Sequence, residues 1–366
     1  MRQVRLTSTV PSSGRVLQVR SMFDVAKAQS DTTTVVVPDE FDGLAERDWH
    51  IGLIVGPSGS GKSTLAAATW PDEYAATNRM GWTDRAIVDD FPEGLGIKQI
   101  TGLLSSVGFG SAPAWLRPHA ALSVGQQFRA GLARALASAS YDAPAVMDEF
   151  TSTVDRRVAQ IGSAAVAKTV RRTGTRLVAV SCHADVIDWL QPDWVYRPDS
   201  VDFEWRRLQR RPELHFDVAA VGRDAWPLFR PHHYLSGDLH VAARQVCAFH
   251  DGEPVAFNAW YRFPHPTAKN IMVNHRIVVL PDWQGAGLGM ALSEHVGEHL
   301  HRQGDRYRIT TAHPGLISAM RRSPRWRESK ATNAPSRSRK PKRLVKQHAN
   351  PRKLATSSFE YAPRRA

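Results

Sequence analysis

A short glycine-rich loop near the amino terminus carries residue types that bind phosphate. Residues 56–64 read Gly-Pro-Ser-Gly-Ser-Gly-Lys-Ser-Thr and follow an apolar run at residues 51–55. The spacing fits the phosphate-loop pattern G-x-x-x-x-G-K-[ST], in which glycines let consecutive backbone N–H groups turn toward one anion. We predict nucleotide contacts from Gly56, Ser58, Gly59, Ser60, Gly61, Lys62, Ser63 and Thr64. The alternative is a Gly/Ser-rich turn that contains a lysine by chance, but a strand before the loop and a helix after it favour the phosphate site.

Two side chains of this loop have distinct chemical roles in such a site. Lys62 supplies a positive charge for the β- and γ-phosphates, and the Ser63 hydroxyl ligates Mg²⁺. The helix after the loop adds the partial positive charge of its amino terminus.

Four further segments follow the loop and contain polar residues that suit nucleotide chemistry. They are Leu122-Ser123-Val124-Gly125-Gln126-Gln127 before a helical pattern, Val146-Met147-Asp148-Glu149, Ser152-Thr153-Val154-Asp155, and a strand that ends at His183. Alone, the acidic pair is compatible with a solvated turn, and His183 with a structural histidine.

The order and spacing of these segments resemble the ATP-binding cassette (ABC) ATPases over about residues 15–200. Residues 56–63 are similar to Walker A, 122–126 to the signature motif with Val124 replacing its first glycine, and 146–149 to Walker B. Residues 152–155 resemble the D-loop, and His183 resembles the switch histidine. The stretch between Walker A and the signature is shorter than in transporters of the family, which implies a reduced helical subdomain.

The resemblance implies ATP as ligand and a role for each motif. Asp148 would hold Mg²⁺ through water molecules, Glu149 would orient or deprotonate the attacking water, and His183 would contact the γ-phosphate. Ser123, Gly125 and Gln126 would contact a nucleotide bound to another subunit. One set of motifs per chain therefore implies a head-to-tail homodimer. Gln99 is the candidate Q-loop residue. Phe23 is either an adenine-stacking residue or a core residue beside Met22.

A second glycine-rich loop occurs at residues 284–289, Gln-Gly-Ala-Gly-Leu-Gly, between a strand at 271–280 and a helix at 290–301. A loop in this position can hold a pyrophosphate on backbone N–H groups. A dinucleotide fingerprint is disfavoured, because the spacing is G-x-G-x-G and antiparallel strands precede it. A glycine-rich turn without a ligand is the alternative.

Residues 214–327 resemble the GNAT acyl-CoA N-acyltransferases, whose Q/R-x-x-G-x-G/A loop matches residues 284–289. The resemblance implies binding of acetyl-CoA or another acyl-CoA by the backbone around Val278 and Leu280 and by the loop residues Gln284, Gly285, Gly287 and Gly289. The glutamate usual on the long strand is absent, since His275 and Arg276 stand there, and the usual tyrosine of the last helix is absent too. His275, His313 and Tyr234 are the candidates for removing a proton from an amine acceptor.

The length of 366 residues and the patterns above predict an α/β and α+β protein. We expect an ABC-type domain at residues 1–205, a basic linker at 206–213, a GNAT-like mixed-sheet domain at 214–327 and a basic, partly disordered tail at 328–366. Residues 15–19 and 34–37 read as short strands, and residues 194–196 and 203–205 as a hairpin. Asp251 and Gly252 mark a second hairpin.

Positive charge is concentrated at the carboxyl terminus. Of the net charge of +13, residues 321–366 hold 15 Lys and Arg against only Glu328 and Glu360. The tail is either a solvated extension or an electrostatic contact for DNA or RNA. Phe359 and Tyr361 are apolar enough to dock on a domain.

Composition excludes several other classes of protein. No apolar run approaches the roughly 18 residues of a membrane helix, and two cysteines give neither a disulfide framework nor zinc-ligand spacing. We expect a cytoplasmic, bifunctional ATPase and acyltransferase that acts on nucleic acid or on a protein bound to it. The alternative is an ATP-switched nucleic-acid-binding module whose GNAT-like domain only binds a ligand. A transporter subunit is disfavoured, because the short insert offers no surface for a membrane partner.

Overall fold

The chain divides into two units that do not follow the predicted boundaries. In the computed structural model, one unit comprises Met1–Gly81 with Arg134–Pro212, and the other comprises Trp82–Ala133 with Glu213–Ala366. The structure describes residues 2–8, 11–23, 31–79, 81–208, 213–233, 238–265, 268–332 and 356–363. The segment 82–133, which the sequence analysis placed inside the ATPase domain, therefore groups with the GNAT-like residues.

Strands of the described residues form two large sheets and one separate two-stranded pair. In chain order they are β1 (Arg2–Ser8), β2 (Asp31–Val37), β3 (Ile51–Val55), β4 (Ala145–Met147), β5 (Leu177–Ser181), β6 (Trp194–Arg197), β7 (Asp202–Trp205), β8 (Asp217–Ala220), β9 (Arg244–His250), β10 (Glu253–Arg262), β11 (Ile271–Val279), β12 (Arg306–Thr311), β13 (Trp326–Thr332) and β14 (Thr356–Tyr361).

The α-helices of the same residues lie between these strands along the chain. In order they are α1 (Gly14–Phe23), α2 (Lys62–Thr69), α3 (Pro71–Asn78), α4 (Ile97–Ser106), α5 (Ala112–Trp115), α6 (Val124–Ser138), α7 (Arg156–Thr173), α8 (Val186–Leu190), α9 (Trp226–Phe229), α10 (Leu288–Arg302) and α11 (Pro314–Arg322).

The first unit is built on a sheet with the strand order β4-β5-β3-β6-β7. The pairs β4–β5, β5–β3 and β3–β6 are parallel, and β7 forms the predicted hairpin with β6. Every residue of β3 and β5 is buried, as expected for parallel strands covered on both faces. Because β5 lies between β3 and β4, the loops after these three strands start at the same edge of the sheet.

Large aromatic side chains pack against one face of this sheet. Trp194 of β6 lies over Gly52 of β3, where an added Cβ would be 1.9 Å from the indole ring. Phe41, Trp70 and Phe203 pack around Trp194 at ring-centroid distances of 5.4–6.3 Å. The same cluster contains Leu65 of α2, so the helix after the phosphate loop is anchored in the core.

The prediction of a strand at residues 15–19 is wrong, because these residues lie in α1. The described side chains of α1 are not buried, and Leu17 and Val19 are more than half exposed. A five-residue run is too short for alternation to separate a strand from a helix. The predicted strand at 34–37 is confirmed, since it forms the end of β2.

The second unit is built on a sheet with the order β13-β14-β12-β11-β10-β9-β8. Asp251 and Gly252, with φ of 51° and 82°, form the predicted turn between β9 and β10. The β11–β12 pair is parallel but extends only from Ile271 to Val273 on β11. Within the described residues, the remainder of β11 has no partner strand on this edge, so β11 and β12 diverge toward the loop at 284–289.

The sheet of the second unit continues beyond residue 327, where the sequence analysis ended the domain. β14 is inserted between β12 and β13 and pairs with both in antiparallel register. Phe359 is fully buried, and Glu360 accepts hydrogen bonds from Arg306 and Arg308 of β12 at 2.8–3.0 Å. Tyr361 packs on Gly297 of α10, where an added Cβ would be 2.6 Å from the ring. The expected tail thus contributes an internal strand, although Phe359 and Tyr361 had suggested only that its end docks on a domain.

Two helices, α10 and α11, pack against this sheet. Val296 and Leu300 of α10 and Met320 of α11 share a buried cluster with Tyr307 and Phe359 of the sheet. α4 packs against α11, and Ser105 of α4 lies 3.3 Å from the position of an added Cβ at Gly315. No helix among the described residues is both long and apolar enough to cross a membrane.

Candidate functional site

The phosphate loop has the backbone conformation that the motif requires. Gly59 and Gly61 have φ of +82° and +83°, a region that side-chain-bearing residues rarely adopt. Gly61 also packs against Val35 of β2, where an added Cβ would be 2.6 Å from a methyl group. The Ser60 hydroxyl is buried and makes no hydrogen bond within the described residues. The Lys62 ammonium folds back to donate to the Pro57 carbonyl at 2.6 Å. An open donor and an ammonium held across the loop are features that fit a nucleotide phosphate.

The two residues predicted to hold Mg²⁺ meet at a tyrosine that the sequence analysis did not single out. The Tyr74 hydroxyl of α3 donates to Oδ2 of Asp148 at 2.5 Å. Burial, followed by the interaction with Asp148, raises the pKa of Tyr74 to about 12, and a hydrogen bond with Ser63 opposes this increase. Tyr74 therefore stays protonated at neutral pH and links the two candidate metal ligands. Oxygen donors from a hydroxyl and a carboxylate suit Mg²⁺.

The end of β4 is held by a second residue of α3. Asn78 accepts from the Asp148 N–H at 3.0 Å and donates to the Val146 carbonyl at 2.8 Å. Asp148 Oδ1 in turn accepts from the Glu149 N–H at 2.9 Å. Glu149 has a φ of 50°, which is uncommon for a residue with a side chain. Such backbone strain occurs at sites where the surrounding contacts fix one conformation, and here the hydrogen bond to Asp148 holds the backbone of the predicted catalytic residue Glu149.

His183 follows β5 and therefore starts from the same sheet edge as the phosphate loop and Asp148. Its backbone N–H donates to the Ser181 hydroxyl at 3.1 Å. Asp155 of the D-loop-like segment caps α7, because its Oδ1 accepts from the N–H groups of Arg157 and Val158 at 3.0 Å. The sheet order of one unit thus gathers Walker A, Walker B and the candidate switch histidine.

The signature-like residues Ser123, Gly125 and Gln126 belong to the second unit. They lie at the amino terminus of α6, where Ser123 and Gln126 cap each other. The Ser123 N–H donates to Gln126 Oε1 at 3.2 Å, and the Gln126 N–H reaches the Ser123 hydroxyl at 3.4 Å. Val124 is half exposed. The first unit alone therefore contains no complete set of the predicted nucleotide contacts, and the contacts predicted for these residues stay a prediction.

The loop at 284–289 has a geometry that fits a pyrophosphate. Gly285 and Gly287 have φ of +99° and +83°, and Gly287 is the N-cap of the fifteen-residue helix α10. Nothing lies within 4 Å of the position of an added Cβ at Gly287. The first N–H groups of a helix have no partner within it and attract anions. This open end of α10 lies at the diverging end of β11.

The two strand residues predicted to pair with acyl-CoA lie at the end of β11. Val278 is buried and pairs with Phe257 of β10. The Leu280 N–H donates to the Val255 carbonyl at 3.0 Å. Both residues therefore direct their backbone groups toward β10, and the Leu280 carbonyl also accepts from the Trp283 N–H at 3.0 Å. The predicted pairing of these two residues with acyl-CoA is thus wrong, because in an antiparallel pair the alternate residues Ile277 and Val279 are the ones that face the edge toward β12.

The Gln284 side chain has a structural role that differs from the predicted cofactor contact. Its Oε1 accepts from the Gly110 N–H at 2.7 Å, and its Nε2 donates to the Val279 carbonyl at 2.9 Å. Because both ends of the amide are hydrogen-bonded, the Gln284 side chain positions the loop. The backbone N–H groups of the loop remain available to bind a cofactor.

Of the three candidate proton acceptors, the structure describes the two histidines, and both are hydrogen-bonded. His275 is the extra residue of a bulge on β11, and its Nε2 accepts from the His240 N–H at 3.0 Å. His313 accepts from the Leu316 N–H at Nδ1 (3.3 Å) and lies 3.1 Å from the Gly110 carbonyl at Nε2. Burial lowers the pKa of His313, and burial with the nearby Arg276 charge lowers that of His275. Both histidines are held by hydrogen bonds with the backbone. Tyr234 lies outside the described residues.

A buried polar cluster lies where β11 and β12 diverge. No sequence motif predicted it. The Asn274 amide donates to the carbonyls of Ala259 and Arg276, to Asn258 Oδ1 at 2.9 Å, and toward the Tyr307 hydroxyl. Tyr307 donates to the same Asn258 oxygen at 3.2 Å. Asn258 is fully buried, and its Nδ2 has no hydrogen-bond partner among the described residues. Such an open donor fits a ligand carbonyl.

Two further candidates have simpler outcomes. Gln99 Oε1 accepts from the Gly96 N–H at 2.9 Å in the capping box of α4, so its side chain caps a helix. Phe23 ends α1 with 71% of its surface exposed, which contradicts the core alternative. Adenine stacking by Phe23 stays a prediction.

Comparisons with known proteins found one family model and solved structures of two kinds that this chain is similar to. Residues 184–320 match the model of the acetyltransferase (GNAT) family. Among solved structures, an ATP-binding cassette in a post-hydrolysis state bound to ADP and Pi has 16% identity and a TM-score of 0.38, and the match covers 50% of this chain and 95% of that chain. No curated protein matches this chain in sequence.

Two acetyltransferases are among the other similar structures. The ribosomal-protein-S18-alanine N-acetyltransferase from Escherichia coli has 14% identity and a TM-score of 0.28, over 41% of this chain and 94% of that chain. An IAA acetyltransferase from Bacillus cereus has 12% identity and a TM-score of 0.28, over 40% and 99%. The predicted resemblances and fold class are thus confirmed: the structures similar to the N-terminal part include ABC cassettes, and residues 184–320 match the GNAT family model.

Proposed function

We propose that this chain hydrolyses ATP and transfers an acyl group from acyl-CoA to an amine acceptor. The observation that carries the proposal is the presence of two glycine loops, each after a strand and before a helix, with left-handed glycines at Gly59, Gly61, Gly285 and Gly287. Each loop presents backbone N–H groups at a helix amino terminus, which is the arrangement that binds phosphate.

In the ATPase half, each step falls to a residue of the first unit. Lys62 neutralises the β- and γ-phosphates. Ser63 and Asp148 would hold Mg²⁺, which would supply positive charge beside the transferred phosphoryl group. Glu149 orients the attacking water and accepts its proton. The signature residues of a second copy complete the site, so ATP closes a homodimer.

In the acyltransferase half, the backbone of residues 285–289 holds the pyrophosphate, and the unpaired edge of β11 pairs with the pantetheine arm. The open Nδ2 of Asn258 suits the thioester carbonyl. The acceptor amine must lose its proton before it attacks the thioester carbon, and CoA leaves as the thiol. Since His275 and His313 are engaged in hydrogen bonds, Tyr234 or a residue of the acceptor complex takes that proton.

The acyl-CoA site is tested by Gly287→Glu, with Gly304→Glu as the matched control. Both glycines have left-handed φ and no atom within 4 Å of an added Cβ, but Gly304 lies at the far end of α10. A carboxylate at Gly287 adds bulk and repulsion where the pyrophosphate would lie. Calorimetric titration with acetyl-CoA should show binding by the parent and the control and none by Gly287→Glu. Failure of the parent to bind would refute this half.

The ATPase half is tested by Glu149→Gln. This change keeps the phosphate contacts but removes the base, so the variant should bind ATP without turnover and accumulate as a dimer. Light scattering in ATP and Mg²⁺ measures the dimer. A monomeric variant that hydrolyses ATP at the parent rate would refute the role of Glu149.

Nucleic acid is the partner that the charge of the carboxyl-terminal residues favours. The basic run Ser336–Lys346 lies outside the described residues, between β13 and β14, whose ends Thr332 and Thr356 are paired. Its deletion should weaken DNA or RNA binding and reduce the salt slope by about one unit per lost phosphate contact. Fluorescence anisotropy across a salt series measures both. Unchanged affinity and slope would identify the run as a solvated segment.

A second candidate function is a nucleotide-switched binding module. It is favoured by the absence of the family glutamate and tyrosine and by the engaged histidines His275 and His313. Such a module would bind acetyl-CoA without turnover, so release of free CoA in the presence of DNA, RNA or protein acceptors separates the two functions.

A further inference from the structure

Arg129 connects the signature helix to the strand–loop junction of the acyl-CoA site within the second unit. It lies on α6, and only 1% of its surface is exposed. Its Nη1 donates to the Pro281 carbonyl at 2.5 Å and its Nη2 to the Asp282 carbonyl at 3.0 Å. These carbonyls belong to the turn that joins β11 to the loop at 284–289. A guanidinium that binds two successive carbonyls fixes both the position and the orientation of the turn.

A second set of contacts joins the same loop to the turn after α4. The Gly110 N–H donates to Gln284, and the Gly110 carbonyl is next to His313 Nε2. Gly108 approaches so closely that an added Cβ would be 2.4 Å from the Gln284 carbonyl oxygen and 2.9 Å from Gly285 Cα. The acyl-CoA loop therefore rests on the helical segment 82–133, and Arg129 is one of several fixed contacts between them.

The signature-like residues lie within two helical turns of Arg129. Ser123 and Gly125 are at the amino terminus of α6, and an α-helix repeats every 3.6 residues. A helix transmits a displacement of its end as a nearly rigid body. Any movement of the α6 amino terminus on contact with a nucleotide therefore reaches the two carbonyls that Arg129 holds.

We propose that Arg129 is a positioning residue that makes acyl-CoA affinity depend on the nucleotide at the signature of α6. This coupling rests on the function proposed above. By linkage, a nucleotide that changes the affinity for acyl-CoA must have its own affinity changed by acyl-CoA by the same factor. Couplings of this kind change affinity by roughly 5- to 150-fold.

The test measures acetyl-CoA binding by calorimetry with and without a non-hydrolysable ATP analogue and Mg²⁺. For the parent chain, the two dissociation constants should differ at least about fivefold. Titration of the analogue with and without saturating acetyl-CoA should give the same factor. In Arg129→Gln the ratio should approach one. A purely structural role would instead change both constants by one factor and leave the ratio at the parent value.

Two further variants keep the test decisive. Arg129→Lys keeps the charge but lacks the two-pronged donor, so it should fold and show a reduced ratio. Arg134→Gln is the matched control on the same helix; it donates to the Gly81 carbonyl and should keep the parent ratio. A parent that binds both ligands with a ratio of one, or an Arg129→Lys variant with the full parent ratio, would overturn the coupling alone. A parent that binds no acetyl-CoA in either state would overturn both the coupling and the proposed acyltransferase.

Discussion

The contact between Gly108 and the acyl-CoA loop gives a sharp mutational test of how the second unit is built. In Gly108→Ala, a methyl group would appear 2.4 Å from the Gln284 carbonyl oxygen, a distance that Cβ atoms essentially never show. The φ of +86° adds about 1–2 kcal/mol of backbone strain for any residue with a Cβ. Relief of the overlap requires a backbone shift, for which overpacking costs are about 1–3 kcal/mol. The free energy of unfolding should therefore fall by roughly 2–5 kcal/mol.

Gly102→Ala is the matched control for this variant. Gly102 lies inside α4 of the same segment, with no atom within 4 Å of an added Cβ. Alanine at an open helical position stabilises by about 0.5–1 kcal/mol relative to glycine. Denaturant titration of both variants gives the change in stability, and acetyl-CoA titration shows whether the loop has moved. Parent-like stability and affinity in Gly108→Ala would show that the segment does not support the loop.

Two other predictions concern the metal site and the inserted strand. Tyr74→Phe removes a hydroxyl that competes with a cation for Oδ2 of Asp148, so Mn²⁺–ATP should bind severalfold more tightly than in the parent, as measured by electron paramagnetic resonance. Tyr141→Phe, at an exposed position, is the control. Unchanged affinity of Tyr74→Phe for Mn²⁺–ATP would contradict the competition. Burial alone would raise the pKa of Glu360, but hydrogen bonds from Arg308 and Arg306 outweigh it and lower this pKa. The stability from Glu360 is therefore complete above the unfolded-state value near 4.5 and is lost as pH falls through the lower folded value. Glu360→Gln should remove this loss on the acid side of a denaturation series, and an acid slope equal to that of the parent would contradict it.

Short sequence patterns correctly predicted those parts of the candidate sites that are formed by residues close together in the chain. The glycine loop after β3 was readable because spacing, glycines and a flanking apolar run occur within about fifteen residues of the sequence. The hairpin at Asp251 and Gly252 was readable for the same reason. In each case the chemistry depends on neighbours in the chain, which a single sequence displays directly.

The contacts that assemble the sites could not be predicted from the sequence, because they join residues that are far apart in the chain. Tyr74 meets Asp148 across 74 positions, and Arg129 meets Pro281 across 152. Neither residue belongs to a motif, and each would serve equally well as an ordinary core or surface residue. His275 and His313 were singled out by residue type, yet burial and backbone partners decide their state. The strand β14 was also hidden, since the basic composition around it resembles an extension more than a sheet.

The interleaving of the two units along the chain has a consequence for biosynthesis. The helical segment 82–133 leaves the ribosome before the strands on which it packs, and β14, an internal strand of the same sheet, ends only at Tyr361. At roughly 5–20 residues per second, the nascent segment waits on the order of ten to fifty seconds for that strand. During this interval its apolar surface has no sheet to cover it, so we expect newly made chains to be more prone to aggregation than a simple tandem of two domains. Expression of the region after residue 213 alone would meet the converse problem, because its sheet would emerge without the segment that supports the acyl-CoA loop.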